Sequence, residues 1–246
     1  MKKFIRVCLK LALFFAVIGS AAIIAAFAMG LNWNQLKEMM IQKEDSFEEE
    51  NHHHDSLNHL DIEVGAGTVT IVYDNVDDIK VKQEGMRNYS CKADGDTLRI
   101  SAGNKVFSNN SNGDITIIVP TGFVFKEVDM EIGAGQADVS DLCAEEFDIE
   151  VGAGQANLNN IDVQHLQAKT NAGEIQAELV GREEDYNYDV ECGIGEIVIG
   201  DSSFSGLGRE ANIENPGAQR ELDVECSVGQ ITVEFKETTL GGHHHV

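Results

Sequence analysis

One eleven-residue pattern recurs along this chain, and it restricts the possible folds more than any other feature. It reads DIEVGAGTVTI from residue 61, DMEIGAGQADV from 129, DIEVGAGQANL from 148, QAKTNAGEIQA from 167, DVECGIGEIVI from 189 and DVECSVGQITV from 223. SNGDITI, from 111, is a shortened relative. Aligned on one glycine, the copies place Gly113, Gly135, Gly154, Gly173, Gly195 and Gly229 at intervals of 22, 19, 19, 22 and 34 residues. A period near 20 belongs to stacked repeats.

Within each copy apolar and polar residues alternate. Ile149 and Val151 take one face, Asp148 and Glu150 the other, and Ala156 and Leu158 resume the pattern after the glycines. Alternation with period two means strand. Glycine permits a sharp bend, so each copy is a strand, a corner and a strand. A lone rung cannot bury its apolar face, whereas rungs about 4.8 Å apart pair their backbones and align their side chains. The expected columns are Ile132, Val151, Thr170, Cys192 and Cys226, and Ala137, Ala156, Ile175, Ile197 and Ile231. The fold class is therefore all-β: a single-stack β-solenoid with glycine-cornered rungs of about 19–22 residues over 61–236, preceded by one transmembrane helix.

That helix is the uncharged run of 20 residues at 11–30, long enough to span a hydrocarbon core of about 30 Å. Lys2, Lys3, Arg6 and Lys10 precede it. Basic residues stay on the cytoplasmic side, so 1–10 is a cytoplasmic N-terminus and the rest a single-pass, extracellular C-terminal domain at the cell membrane. Ala26-Phe27-Ala28 resembles a signal-peptidase site, but the apolar run exceeds the usual 7–15 residues or so of a cleaved signal. Residues 31–60 read as an acidic, histidine-containing juxtamembrane linker that opens with a short helix, and 237–246 as a flexible tail.

Of the 18 basic side chains, the four ahead of the apolar run leave 14 against 42 acidic ones. Such a domain repels nucleic acid and anionic lipid surfaces. Gly152-x-Gly154 opens like a dinucleotide loop, but Asn157 stands where the third glycine is needed and no helix pattern follows. Histidines 52, 53, 54 and 59, with Asp55 and the C-terminal His243, His244 and His245, could hold a borderline metal weakly, yet they lack the spacing of a closed site. No metal ligand, cofactor or catalytic residue is assigned.

These features together resemble the toastrack-type candidate-adhesin family of bacterial envelope proteins. An N-terminal membrane helix, an acidic linker and glycine-cornered rungs of the GAGQ and GIGEI kind carry the likeness, which covers Asp61 to Phe235. The resemblance implies a β-solenoid linked to envelope surfaces or envelope-stress systems, and it implies no catalytic residues.

The expected function is a non-enzymatic binding, scaffolding or envelope-stress module; the alternative is a carbohydrate-active enzyme on a β-helix scaffold. Catalytic carboxylates would be exceptions to the repeat. Here Asp129, Asp148, Asp189 and Asp223 recur at one outward position, and Glu131, Glu150, Glu191 and Glu225 at another. His165 lies in no nucleophile constellation. Lys169 and Gln167 interrupt the acidic columns, with Glu150 and Glu191 expected beside the lysine. The uninterrupted block of Asp129, Glu131, Asp148 and Glu150 suggests weak divalent-cation binding, with simple counterion screening as the alternative. The partner is expected to be an envelope protein or surface polymer, met by the solenoid face or by an excursion at 201–221 that carries Arg209, Pro216 and Arg220.

Overall fold

The computed structural model describes residues 47–52, 57–103 and 113–237. The membrane helix expected at 11–30, the rest of the linker and the tail from 238 lie outside the described residues. Among the described residues no helix is long and apolar enough to cross a membrane.

Among the described residues eleven strands form one sheet: β1 (Phe47–His52), β2 (His59–Asp74), β3 (Ile79–Glu84), β4 (Tyr89–Asp94), β5 (Thr97–Ala102), β6 (Asp114–Pro120), β7 (Phe125–Ser140), β8 (Cys143–Val180), β9 (Tyr186–Ile199), β10 (Ser202–Ile213) and β11 (Arg220–Lys236). The central rungs are parallel, as a solenoid requires, and β8 supplies two of them in one continuous strand. In β8 the buried positions Phe147, Ile149 and Val151 are repeated by Leu166, Ala168 and Thr170, and Ala156 and Leu158 by Ile175 and Ala177. Thr170 is the polar member of its column. Its hydroxyl donates to the Val151 carbonyl at 3.2 Å, which satisfies the group where water is excluded.

All ten expected column residues are buried, apart from Thr170 as apolar side chains. Their spatial order differs from their sequence order. β11 pairs with the second half of β8 on one side and with β9 on the other, so the last rung of the sequence is inserted before the one that precedes it. The column therefore runs Thr170, Cys226, Cys192. Cys192 and Cys226 are both buried free thiols.

The same reordering occurs at the other end. β2 stacks directly on β7, and the shortened copy, now β6, lies on the far side of β2. β5 completes that rung by pairing with the first half of β2. β3 and β4 then cover β6 and β5 in the antiparallel sense, and β1 adds to β3. Antiparallel strands suit this position, because they end the parallel stack with short, charged edges.

Two segments read differently from sequence prove to be strands. Residues 47–52, read as linker, pair with Ile79–Glu84; the run of three glutamates hides the alternation that marks a strand. The excursion at 201–221 is chiefly β10, an antiparallel cover on β9 whose Gly206 pairs with Gly195 and follows the corner. The 34-residue interval is thus the path of the chain out along β10 and back to insert β11.

Candidate functional site

Two surfaces follow from this stacking: the glycine corners and the acidic columns. At the corners the rungs approach so closely that a Cβ on Gly154 would overlap the Gly135 carbonyl oxygen, and one on Gly135 the Gly67 carbonyl. The residue just before each corner glycine, or just after it in the antiparallel β10, points outward. Register aligns Ala66, Ala134, Ala153, Ala172, Val228, Ile194 and Leu207 into one column along the ridge. The side chains grow toward the β10 end, where Val228, Ile194 and Leu207 are 50%, 59% and 85% exposed. Beside the alanine end of that column runs an open groove of about 990 Å³, walled by Thr68, Gln136, Gln155, Glu174 and Gln230. Its amides are braced along their own strands: Gln136 donates to Asp138 at 2.8 Å and Gln155 to Asn157 at 3.0 Å.

The acidic columns are regular, and their neighbours explain why they are tolerated. Asp61, Asp129 and Asp148 stand in register, as do Glu63, Glu131 and Glu150. Arg99 on β5 reaches Asp61 at 3.0 Å, a relief that the sequence did not reveal. At the other side Lys169 pairs with Glu225 at 3.6 Å, not with Glu191, because β11 is the neighbouring rung. Asn171 donates to Glu150 at 2.9 Å. Between these ends, partial burial raises the Asp129 carboxyl above its ordinary range, and Glu127, Asp148 and Asp61 add to the effect. Burial likewise raises Asp148, against the opposing pull of His165 and Lys169. His165 lies on this surface, 3.0 Å from Asp223.

The excursion residues separate. Arg220 is an internal strut: it reaches Asp162 at 2.8 Å, the Val180 carbonyl at 2.9 Å and the Tyr186 hydroxyl at 2.9 Å. Arg209 is exposed on β10, and Pro216 lines a cleft with Asn212, Glu221 and Asp223. The histidines separate too. His59 lies between Asp96 at 3.3 Å and Glu127 at 3.6 Å. His52 approaches Cys91 and Glu50 on a different part of the surface. His53, His54, Asp55 and the C-terminal histidines lie outside the described residues. Sequence reasoning missed Cys91 and the aliphatic end of the ridge. The second had a legible signal, since Ala gives way to Ile194 and Val228 just before the corner glycine.

A family model described as Toastrack DUF4097 matches residues 57–243. The chain belongs to the Toastrack family. The match begins just before β2 and takes in every rung of the stack. A cell-adhesion candidate from Clostridium sporogenes shares the Toastrack fold, with a TM-score of 0.57 at 18% identity over 78% of this chain and 100% of that one. An adhesin candidate from Bacteroides fragilis aligns with a TM-score of 0.35 at 14% identity, over 78% and 99% of the two chains. No curated protein matches this Toastrack sequence.

Proposed function

We propose that this Toastrack protein is a non-enzymatic binding and scaffolding module, held at the outer face of a bacterial cell membrane by residues 11–30. The observation that supports this reading is the ridge. An exposed aliphatic end, Val228, Ile194 and Leu207, stands out on a chain of net charge −24. Exposed apolar clusters on a charged body are contact surfaces. The carboxylates repeat from rung to rung, which fits a solvated face better than a catalytic pair. An open groove that runs across several rungs beside this ridge suits an extended envelope protein or surface polymer. The cell-adhesion candidate that shares the fold agrees with this reading.

Co-sedimentation of the full-length protein, its apolar segment held in detergent micelles, with a detergent-washed envelope fraction tests it. The Ile194→Asp and Leu207→Asp variants should lose most of the bound fraction while melting as wild type does. Undiminished binding by both variants would move the contact away from the ridge. Conversion of an envelope polysaccharide by the wild-type protein would favour a carbohydrate-active enzyme instead.

A further inference from the structure

At the covered end of the stack, β1 and β4 bring together three side chains of different chemistry. His52 Nε2 lies 3.3 Å from Cys91 Sγ and 3.6 Å from a Glu50 carboxylate oxygen, and the three donor atoms lie within 4.8 Å of one another. All three residues are half-buried. Sulfur, imidazole nitrogen and carboxylate oxygen are the ligands of zinc and related borderline ions. Zinc bonds of about 2.0–2.1 Å to nitrogen and oxygen and about 2.3 Å to sulfur, at a tetrahedral angle, place neighbouring donors roughly 3.3–3.6 Å apart. The two observed separations, 3.3 Å to sulfur and 3.6 Å to oxygen, each lie within about 0.3 Å of the value a zinc ion would set. The Tyr89 hydroxyl, beside Cys91 and Glu50, is shielded from solvent.

We propose that Glu50, His52 and Cys91 form a zinc-type metal site that fastens β1 to β4. Three protein donors leave one tetrahedral position open for water or a further ligand. The arrangement is distinct from the ridge and from the acidic columns. It fixes the first described strand after the apolar N-terminal segment onto the body of the solenoid. The competing state is a plain hydrogen bond between a neutral thiol and imidazole, which burial, together with the Glu50 charge, favours by pushing the Cys91 thiol up to about 11.

Cobalt(II) titration of the full-length protein in detergent separates the two. A metal site gives a thiolate-to-cobalt charge-transfer band that saturates at one cobalt per chain and is abolished by added zinc. Cys91→Ser should remove the band, and His52→Ala and Glu50→Gln should each weaken cobalt binding at least tenfold. The histidine tracts offer no sulfur and cannot produce that band. Zinc should also raise the melting midpoint of wild type and leave that of Cys91→Ser unchanged, as selective binding to the folded state requires. Absence of the band in wild type, or its persistence in Cys91→Ser, would overturn the proposal. Should Cys91→Ser fail to fold, full-affinity cobalt binding by folded His52→Ala would overturn it equally.

Discussion

Gly229 lies in register against Gly173, although Gly195 is the corner glycine that follows Gly173 in the sequence. The final repeat is therefore an interior rung, paired on both edges. A chain ending at residue 219 should lose cooperative folding, since β9 and β10 would have no rung to rest on. A sharp urea transition in that truncated chain would show that β11 is dispensable. Within the full chain, Ile231→Ala should cost about 2–5 kcal/mol, the range for a fully buried aliphatic side chain.

Close approach governs the corners. Gly154 lacks the positive φ of Gly135 and Gly229, yet a Cβ on it would collide with Gly135 backbone. Gly154→Val should destabilise by at least about 1–3 kcal/mol, as overpacking does. Ala153→Val points outward and should change the urea midpoint little. Equal midpoints for Gly154→Val and wild type would remove the corner contact from consideration.

The alternation and the glycines were enough to identify strand, corner and column, and the ten column residues are buried as the pattern requires. Rung order was not legible. Every rung presents the same apolar columns and backbone edge, so Thr170 is as well matched to Cys226 as to Cys192, and the choice is made by the length of the 200–219 return. Arg99 was hidden for a related reason. It belongs to a rung assembled from β5 and β6, whose corner glycine is displaced by an insertion. Cys91 beside His52 depends on β1 being a strand, and three consecutive glutamates conceal that.

Charge along the acidic face sets the response to pH. Asp129 and Asp148 carry raised carboxyl pKa values in the folded state. A raised acid binds its proton more tightly folded than unfolded, so the stability it confers is complete below the ordinary carboxylate pKa and is lost as pH rises through the folded value. The melting midpoint should therefore gain from these two groups on mild acidification from neutrality. Asp129→Asn and Asp148→Asn should each raise the midpoint at neutral pH and flatten the acid-side gain. A lower midpoint in both variants would contradict that sign.

Lys169 and Glu225 are an exposed pair, and such pairs contribute about 0–1 kcal/mol. Lys169→Glu should cost somewhat more, because it sets like charges in register across neighbouring rungs. Glu225→Lys in the same chain should restore stability, whereas Glu191→Lys should restore less, since Glu191 is one rung further away. Better rescue by Glu191→Lys would place β9, not β11, beside β8.

Cys192 and Cys226 face each other in register as buried thiols, and burial raises the Cys226 thiol pKa. Both should resist alkylation in the native protein and react after unfolding. A mass increase of two hydrogens on reduction, mapped to this pair, would reveal a disulfide instead.

Proteolysis of intact cells tests most directly whether the solenoid stands outside the membrane, as proposed. Lys37 and Lys43 lie between the apolar run and β1. Trypsin added to unbroken cells should cut there and release a soluble fragment beginning at Glu38 or at Glu44, with the stack of rungs intact. A chain left whole until the cells are lysed would contradict the topology.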